Sequence, residues 1–429
     1  MNWIALHSAV AWRVRRFRRS SAAFVAFLWR RLLVRTTVIA VSGSVGKTTT
    51  KELLRAILED QAPTVTNRGS ENHQKFGSLQ QTLLRARPWH RFAVIEAGIE
   101  RPGDMESAAR LLKPDIGVMV DVKRSHIKSF RTLENIAAEK SQLIRSLRPS
   151  GRAVLNVDNE YVAAMAQAAP CPTVGFGARG DARVRLLDVR SRWPERLSLR
   201  IQVDGRDYEV RTRLLGVHWS HAVLAAITTA LVCGVPLEDA IASVQRVEPF
   251  WARMQPITLP HSGAVIIRDE WKGPADSLEA AFQVLRDATA TRRIAVLSDF
   301  SDTSKADRAR ANQLGRAAAS FADLAVFVGS HAEHSARRAI ANGLPEDSTK
   351  AFETVNGAAA YLKTQLRNGD LVLLKGRMGN HLSRIYLSLL GDIACSLPYC
   401  PRQILCDRCS ELGLRTHLPL EGLVYQTDT

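Results

Sequence analysis

The chain of 429 residues lacks any run of about 18 uninterrupted apolar residues, the length that a membrane-spanning helix requires. Its longest N-terminal apolar run, Ala22–Trp29, covers eight residues and is followed directly by two arginines. No small-residue cleavage site precedes the first predicted strand, which disfavours a cleaved signal peptide. The chain also lacks internal repeats and low-complexity tracts. With 46% hydrophobic and 24% charged residues, it is expected to fold into two or three globular domains.

Acidic residues are absent from residues 1–36, which contain eight arginines. Over the whole chain, 59 Lys and Arg against 42 Asp and Glu give a net charge of +17, of which +9 remains without this segment. Such an excess favours anionic partners: nucleotides, phospholipid head groups or nucleic acid. We interpret residues 1–36 as a basic amphipathic leader that lies on an anionic membrane surface or docks on the protein's own surface. The aromatic side chains available for either role are Trp3, Phe17, Phe24, Phe27 and Trp29.

Cysteine is scarce before the C-terminus, where Cys171 and Cys233 stand far apart. This usage is typical of a reduced cytoplasmic protein and not of a secreted disulfide scaffold. The other four cysteines lie within fifteen residues of the Cys-rich tail, 393–429, at Cys395, Cys400, Cys406 and Cys409. The C-x₂-C spacing of the last pair is common at zinc sites, so structural Zn²⁺ and free or redox-active thiols are both open interpretations.

Strand and helix patterns alternate along residues 37–247, which predicts an α/β domain with a mostly parallel sheet. Buried-strand patterns occur at Thr37–Ser42, Phe92–Glu96, Ile116–Asp121 and Ala153–Asn156. The first is followed by an amphipathic helix, predicted for Lys47–Asp60. Residues 182–213 instead alternate with period two, which predicts antiparallel strands.

A second alternation, over residues 248–392, predicts a smaller Rossmann-like α/β domain. Its apolar strands are expected at Ala264–Asp269, Arg293–Ser298, Leu324–Gly329 and Asp370–Lys375. This periodicity ends after Gly391, where the Cys-rich tail follows.

The most specific local pattern is the segment VIAVSGSVGKTTTKELL, residues 38–54. A buried strand enters a turn with Gly43 and Gly46, whose backbone N–H groups can face a ligand, and a helix begins at Lys47. This geometry binds phosphate, with Lys47 adding a positive charge and Thr48 a hydroxyl for Mg²⁺. The strict spacing G-x-x-x-x-G-K-[ST] is not met because residue 41 is Val, and the shorter form G-x-x-G-K-T-T stands instead. The predicted P-loop-type ATP site consists of Gly43, Ser44, Val45, Gly46, Lys47, Thr48 and Thr49.

This shorter loop resembles the ATP loop of the Mur ligases, and the resemblance continues in order over residues 37–390. Within the family it is most similar to the branch that adds D-alanyl-D-alanine to the UDP-muramoyl tripeptide. Besides the loop, the matching motifs include Thr66-Asn67, Asn72, Gly77, Ala93–Gly98 and Ala137–Lys140. The resemblance implies a central ATP-binding domain over residues 37–247 and a C-terminal domain over residues 248–392 that presents the incoming amine.

Three residues match family positions that support metal binding and catalysis. Glu96 ends an A-V-x-E-x-G strand, His126 stands where the family has a His ligand of Mg²⁺, and Lys140 matches a lysine that many members carry as a carbamate. A carboxylate suits a hard, phosphate-bound cation, whereas the case for His126 comes from the resemblance. The implied catalytic residues are Lys47, Glu96, His126, Lys140 and Arg253. The implied Mg²⁺ ligands are Thr48, Glu96 and His126.

Further nucleotide contacts are implied by motifs at the ends of later strands. Asn156 and Asp158 lie in a segment similar to the family's N-x-D-[ND] motif. Arg253 matches an arginine that reaches the ATP phosphates, a task that suits a guanidinium fork. Asp269 and Ser277 match the two ends of the family's D-S-Y-N-A-N-P-x-S segment.

Several family positions are changed in this chain. Trp219 and His221 replace both Asn of the G-x-H-N-x-x-N motif, which puts the usual adenine contacts in doubt. Asp299 takes the place of the Asp in G-D-M. Arg377 and Met378 replace the Ser and Arg of K-G-S-R, so the resemblance implies a different amine acceptor.

The family's cell-wall ligases carry an N-terminal domain that holds the UDP-sugar, whereas 36 residues precede the first predicted strand here. We therefore expect this domain to be lacking, and a soluble UDP-muramoyl peptide not to be the substrate. A partner protein could then supply substrate binding. In its short leader the chain also resembles the poly-γ-glutamate synthases.

The predicted function is an ATP-dependent ligase that converts a carboxylate to an acyl phosphate and then to an amide, releasing ADP and phosphate. Arg253 is predicted to sense a domain closure that excludes water. The expected partners are a small-molecule carboxylate and a small-molecule amine, without specific nucleic acid. The alternatives are a nucleotide-dependent switch or nucleic-acid-stimulated ATPase, and a degenerate, non-catalytic family member. We expect a cytoplasmic location, peripheral to the inner membrane face if the leader binds lipid.

Overall fold

The computed structural model describes residues 22–67, 78–124, 127–273, 275–300 and 306–418. Within these residues the chain forms two compact units, one ending at Val247 and the other continuing from Glu248. Two short segments before that boundary, Arg190–Ser198 and Arg211–His218, belong to the second unit. None of the helices in the described ranges combines the length and the apolar character needed to cross a membrane.

The first unit is built on a nine-stranded sheet with helices packed on it. Its strands are β1 Thr37–Ser42, β2 Thr64–Thr66, β3 Phe92–Glu96, β4 Ile116–Met119, β5 Arg152–Asn156, β6 Thr173–Gly177, β7 Val184–Arg190, β8 Ser198–Val203 and β9 Arg206–Arg211. Its helices are α1 (22–32), α2 Lys47–Glu59, α3 Ser78–Arg85, α4 Asp104–Leu112, α5 Ile127–Phe130, α6 Leu133–Arg145, α7 Glu160–Ala163, α8 Ser220–Val232 and α9 Leu237–Arg246. The spatial order is β2-β3-β1-β4-β5-β6-β7-β8-β9, and the pairs from β2 to β7 are parallel.

Strand β1 lies between β3 and β4 in this parallel region. Its residues Val38–Ser42 are all buried, as expected for a strand covered on both faces of the sheet. The register places Val41 opposite Glu96 on β3 and Ser42 opposite Met119 on β4. The loop that follows Ser42 and the side chain of Glu96 therefore lie at the same edge of the sheet.

The last strands of this sheet include a hairpin within residues 182–213, where the sequence predicts antiparallel strands. β8 and β9 form a hairpin through Asp204-Gly205, two residues with positive φ, as a tight two-residue turn requires. β7, however, pairs with β6 in parallel, with Phe176 opposite Val184. β6 lies outside residues 182–213, so this parallel pair does not test the antiparallel strands predicted within that range. An alternating pattern shows that a strand has two different faces and does not specify the direction of its neighbour.

The second unit contains a six-stranded sheet in the order β10-β11-β15-β12-β13-β14. Its strands are β10 Gln255–Thr258, β11 Val265–Asp269, β12 Arg292–Leu297, β13 Leu324–Val328, β14 Thr349–Phe352 and β15 Asp370–Lys375, followed by the short antiparallel pair β16 Asp392–Ile393 and β17 Leu414–Arg415. Its helices are α10 Leu278–Asp287, α11 Asp307–Ala319, α12 Ala332–Ile340, α13 Val355–Gln365 and α14 Ser383–Leu390. β10 is antiparallel to β11, and the other neighbouring pairs of the six are parallel.

The core of the second unit joins the sheet to the tail. Tyr386 and Leu387 of α14 belong to one buried cluster with Val372 of β15. Cys406 and Leu412 of the tail are buried in the same cluster. The described part of the tail therefore packs as a fixed portion of this unit.

Candidate active site

The loop between β1 and α2 is fixed to the segment that follows β4. The backbone N–H of Ser44 donates to the carbonyl of Asp121 at 2.8 Å. Its hydroxyl accepts from the N–H of Lys123 and donates to the Lys123 carbonyl, both at 2.9 Å. A Cβ on Gly43 would lie 3.0 Å from the Asp121 nitrogen, so the two backbones approach too closely for another residue. These contacts tie the loop to the sheet edge.

Helix α2 begins directly behind this loop. Gly46, at φ 81, precedes its first residue, Lys47, and no acidic residue lies in its first turn. The first N–H groups of a helix have no partner within the helix and carry a partial positive charge, which suits phosphate. The Lys47 ammonium group donates to the Ser44 carbonyl at 3.0 Å and therefore lies over the loop. Anionic ligands are accordingly favoured at this point.

Oxygen atoms converge beside the start of α2. The Thr48 hydroxyl donates to a carboxylate oxygen of Glu96 at 2.8 Å. Asn67, after β2, holds Glu96 in place, since its side chain accepts from the Glu96 N–H at 2.9 Å and donates to the Glu96 carbonyl at 3.2 Å. A hydroxyl and a buried carboxylate form a donor set that fits a hard cation such as Mg²⁺. His126, the third predicted ligand, lies outside the described residues.

Lys140 on α6 lies buried beneath the same loop, with 1% of its surface exposed. Its ammonium nitrogen lies 2.8 Å from the carbonyl of Gly43, to which it donates. Burial holds the pKa of Lys140 well below its usual range, and the nearby Lys47 charge lowers it further. The site therefore disfavours the ammonium form of Lys140 relative to a lysine in water.

Two side chains, Asn156 at the end of β5 and Asn159 just after it, connect this strand to the segment after β4. Asn159 donates to Asp121 Oδ1 at 2.7 Å and to the Val122 carbonyl at 3.0 Å. Asn156 donates to the Val120 carbonyl at 2.9 Å and accepts from the N–H of Asp158 at 2.9 Å. Because Asp121 also holds Ser44, a continuous hydrogen-bond path runs from the loop to the end of β5.

Asp158 forms a pair with His221, one of the two residues that replace the family's asparagines. His221 Nε2 lies 2.9 Å from Asp158 Oδ2, and the backbone N–H groups of Ala178 and Arg179 also donate to this carboxylate. Burial alone would raise the pKa of Asp158, but these hydrogen bonds lower it below its usual value. The ionised Asp158 carboxylate thus fixes the position of the His221 ring. His221 therefore lies beside the end of β5, where nucleotide contacts are predicted for Asn156 and Asp158.

A separate polar cluster lies at the carboxyl ends of β11 and β15 in the second unit. Lys375 is 1% exposed, and its ammonium donates to Asp269 Oδ2 at 2.6 Å and to the Ser277 hydroxyl at 3.0 Å. Asp299, after β12, pairs with Arg310 at 2.8 Å and with Arg377 at 3.3 Å. The two matching ends of the predicted segment, Asp269 and Ser277, are therefore brought together around Lys375.

Arg253, predicted to contact nucleotide, lies in the second unit between two strained residues. Ala252 and Met254 have φ values of 50° and 52°, in the left-handed region that costs about 1–2 kcal/mol for a residue with a side chain. The Arg253 guanidinium lies 6.0 Å from the centre of the Trp271 ring. Strain of this kind is concentrated at functional sites, which makes Arg253 a candidate independently of the sequence resemblance.

Two features of the structure were not among the predicted site residues. Asp121 anchors both Ser44 and Asn159, and the signal in the sequence was its position at the end of an apolar strand run. In the second unit, Arg268 is fully buried and pairs with Glu270 at 2.5 Å and with Asp407 of the tail at 2.6 Å. The Arg268–Asp407 contact joins residues that are far apart in the sequence, so it leaves no local sequence pattern.

Of the two interpretations of the tail cysteines, the described residues favour free thiols. The described residues, which include Cys395, Cys400, Cys406 and Cys409, contain no group of three or more His, Cys, Asp or Glu side chains that could hold a metal ion. Cys406 lies in the core, with its sulfur 3.6 Å from His381 Nδ1, and burial raises the pKa of its thiol. Cys395 and Cys409 pack against the same core. Cys395, Cys406 and Cys409 therefore pack as small apolar side chains, which agrees with the free-thiol interpretation.

Comparison with protein families gives two matches in succession along the chain. The Mur ligase middle domain matches residues 41–230, and the Mur ligase glutamate ligase domain matches residues 252–378. A UDP-N-acetylmuramoyl-tripeptide--D-alanyl-D-alanine ligase from Mycobacterium tuberculosis (strain CDC 1551 / Oshkosh) is 30% identical over 380 residues, covering 84% of this chain and 74% of the relative.

Solved structures show a similar fold over most of the chain. A crystal structure of MurF from Acinetobacter baumannii superposes with a TM-score of 0.79 at 25% identity, covering 86% of this chain and 80% of that one. The MurF ligase from Thermotoga maritima in complex with ADP gives a TM-score of 0.73 at 19% identity, covering 86% and 82%, and this likeness concerns the fold alone. The predicted α/β class, with mostly parallel sheets, is confirmed.

Proposed function

This chain belongs to the Mur ligase family, and we propose that it is an ATP-dependent ligase that joins a carboxylate to an amine. The observation that carries this proposal is the loop Gly43–Lys47 with its adjoining Thr48–Glu96 hydrogen bond. It is supported by the order in which the family's two domains match the chain. We place the reaction in the cytoplasm. The six cysteines are all free, which is compatible with a reducing compartment.

The loop and the first turn of α2 would bind the phosphates of ATP. Lys47 would neutralise charge on the γ-phosphoryl group as it leaves ADP. Thr48 and Glu96 would hold Mg²⁺, with His126 as the further ligand that the family resemblance implies. Bound Mg²⁺ supplies neutralisation of the phosphate charge in the transition state.

The reaction proceeds in two steps. A carboxylate oxygen attacks the γ-phosphorus, the bond to the β-phosphate oxygen breaks, and ADP leaves with the electron pair. The amine nitrogen then attacks the acyl carbon, phosphate leaves with its bridging oxygen, and the nitrogen loses a proton to solvent. The cluster at the ends of β11 and β15 supplies both carboxylate and cationic groups at one sheet edge. We assign Asp299, Lys375 and Arg377 to the amine substrate, and we keep Asp269, which pairs with Lys375, as a proposed nucleotide contact.

Lys140 would act as a carbamate in this scheme. Its neutral amine can attack carbon dioxide and lose a proton, which gives the side chain a negative charge. A negative charge at this position would lie close to Lys47 and to the proposed metal. The burial of Lys140 supports this role, because a buried ammonium ion with a neutral carbonyl as its hydrogen-bond partner is unfavourable.

The relatives are named for UDP-N-acetylmuramoyl-tripeptide and D-alanyl-D-alanine, which makes both compounds the first substrates to test. Arg377 and Met378 differ from the family motif, so we expect a different amine to be preferred. Release of ADP and phosphate from Mg·ATP should be measured with amino acids, short peptides and amino-sugar conjugates, singly and in pairs. A ligase requires one carboxylate and one amine together.

The matched variants for this assay are Lys47→Ala and Lys363→Ala. Loss of Lys47 removes transition-state stabilisation and should lower kcat by about 100-fold or more. Lys363 is exposed on α13 and should be neutral when replaced. Turnover that is unchanged in Lys47→Ala, or stimulated by polynucleotide and indifferent to every substrate pair, contradicts the proposal.

A further inference from the structure

Apolar side chains are unusually exposed around helix α1. Phe24 is 62% exposed, Leu28 46% and Leu32 65%, and these residues recur every fourth position along one face of the helix. Val34, just after the helix, is 84% exposed. Isolated exposed apolar residues are ordinary, whereas a continuous stripe of this kind marks an interaction surface.

The opposite face of α1 fixes its orientation on the first unit. Ala26 and Leu33 are buried, and Arg30 donates to the Leu112 carbonyl at 2.7 Å and to Asp115 at 3.0 Å. The Trp29 indole donates to the Ala86 carbonyl at 2.9 Å. With these contacts made, the helix cannot rotate to bury the stripe against its own unit.

A loop with an exposed tryptophan lies beside α1. Trp89 is 69% exposed, and the residues around it are bonded to the chain just after α1. The Thr36 hydroxyl donates to the His90 carbonyl at 2.7 Å, and Arg91 donates to the Arg35 carbonyl at 3.3 Å. Tryptophan is the side chain most typical of a membrane–water interface.

The charged residues of the two segments that form this surface are all cationic. The segments 22–36 and 86–91 contain no Asp or Glu. Exposed cations in and beside them are Arg31, Arg35, Arg87, Arg91 and Lys113. The Arg31 guanidinium lies 3.6 Å from the centre of the Phe27 ring and the Lys113 ammonium 5.8 Å from it, so these two charges adjoin the helix.

We propose that this surface docks on an anionic lipid bilayer. The α1 patch consists of Phe24, Leu28, Leu32, Val34 and Trp89 with the cations Arg31, Arg35, Arg87, Arg91 and Lys113. An apolar stripe enters the interface while the cations meet lipid phosphates, the arrangement by which a helix lies in the plane of a membrane. The aliphatic part of the patch offers nothing to a nucleic acid, whose binding would use the cations and the aromatic ring. The inference is independent of the proposed enzymatic function.

The test is co-sedimentation of the full chain with phosphatidylcholine vesicles, with and without phosphatidylglycerol. Binding is expected with phosphatidylglycerol and should weaken as salt screens the charges. Leu28→Gln/Leu32→Gln should lower the partition coefficient about tenfold through lost apolar burial. Arg31→Glu/Arg35→Glu should lower it by at least about fivefold for each charge.

Matched controls lie elsewhere on the described surface. Ile340→Gln replaces another exposed apolar residue, and Arg200→Glu/Arg206→Glu reverses two exposed cations on the β8–β9 hairpin. Both should bind vesicles like the unaltered chain. Equal loss in the controls, or full binding by both α1 variants, overturns the proposal.

Two further measurements could identify a different occupant of the α1 patch, and either result would overturn the proposal of lipid binding. Sedimentation equilibrium without lipid would show whether Leu28→Gln/Leu32→Gln converts a dimer to a monomer, which would assign the stripe to a second copy of the chain. Binding to a single-stranded polynucleotide that falls in Arg31→Glu/Arg35→Glu, without any vesicle binding, would assign the cations to nucleic acid. Thermal unfolding of each variant confirms that it is folded before binding is compared.

Discussion

Single buried charges decide much of the chemistry and stability of this chain. Lys140 and Arg268 are both buried almost completely, yet their surroundings differ. Lys140 has a neutral carbonyl as its hydrogen-bond partner at 2.8 Å, whereas Arg268 has two carboxylates. The first environment lowers the pKa of the lysine, and the second raises the pKa of the arginine and stabilises its charge.

Lys140→Ala should lower kcat by about 100-fold, with the protein still folded. If the lysine acts as a carbamate, the cavity left by the substitution should accept acetate, and acetate should restore part of the activity. Rate measurements with acetate, and separately with ethylamine, distinguish the two charge states. Restoration by ethylamine and not by acetate would show that the ammonium form acts. Lys47→Ala is the control that acetate should not rescue.

The buried cluster of Arg268, Glu270 and Asp407 contributes to the stability of the second unit. Glu270 and Asp407 have side chains that are 1% and 0% exposed, and burial raises the pKa of Glu270 despite the neighbouring arginine. Removing the arginine would leave two buried carboxylates without a cation. Breaking a buried pair in this way costs about 3–5 kcal/mol.

Arg268→Leu should therefore destabilise the second unit in a pH-dependent manner. Burial already raises the pKa of Glu270, and without the cation the folded state holds Glu270 protonated at a higher pH than the unfolded state does. The folded state then binds more protons, so the unfolding free energy rises as pH falls from 8 towards about 5. Urea unfolding at several pH values measures this slope. The half-exposed pair Arg293–Asp323 provides the control, since Arg293→Leu should cost about 1 kcal/mol or less, and a pH-independent loss in Arg268→Leu would contradict the assignment.

At the scale of elements, the start of α2 is the best-determined feature of the sequence. The predicted and observed bounds of β1 coincide at Thr37–Ser42, and α2 begins at Lys47 as predicted. A buried apolar run, two glycines and a Lys-Thr pair specify this unit through local geometry alone. Gly46 lies at the junction, with φ 81, and a Cβ there would lie 3.0 Å from Val120.

Gly46→Ala should weaken Mg·ATP binding by about tenfold or more. Gly205 in the β8–β9 turn has the same φ of 81°, but a Cβ on it would meet nothing within 4 Å. Both substitutions should cost about 1–2 kcal/mol of unfolding free energy from left-handed backbone strain. Isothermal titration with Mg·ATP separates them, because Gly205→Ala should bind normally. Equal affinity of the two variants would mean that the loop conformation is not required.

Contacts between distant segments of the chain could not be predicted from the sequence. The Asp121 carbonyl that accepts from Ser44, the Asp158–His221 pair and the Asp407–Arg268 pair join residues on different elements. Composition and periodicity specify elements and faces, whereas such partners depend on how strands are ordered in the sheet. The cysteine spacing left two interpretations open for the same reason. A C-x₂-C motif states nothing about whether its thiols meet or enter a core.

Over the whole molecule, the two units follow one rule. In each, polar side chains gather at the carboxyl ends of parallel strands: Glu96 and Asn156 in the first unit, Asp269 and Lys375 in the second. Ligands bind at this edge in open α/β sheets, which is why strand ends predicted from the sequence also predicted candidate site residues. The net charge of +17 is not explained by these strand-end sites, because nearly half of it lies in residues 1–36.

The acyl phosphate is the central chemical claim, and oxygen transfer tests it most directly. A carboxylate substrate found by the paired-substrate assay would be labelled with ¹⁸O in both carboxylate oxygens and turned over with Mg·ATP and the amine. The proposed mechanism predicts one ¹⁸O in each released phosphate and one in each amide, because the bridging oxygen leaves with phosphorus. Phosphate without label, released together with amide, would contradict an acyl phosphate. Mass spectrometry of the released phosphate therefore decides the question.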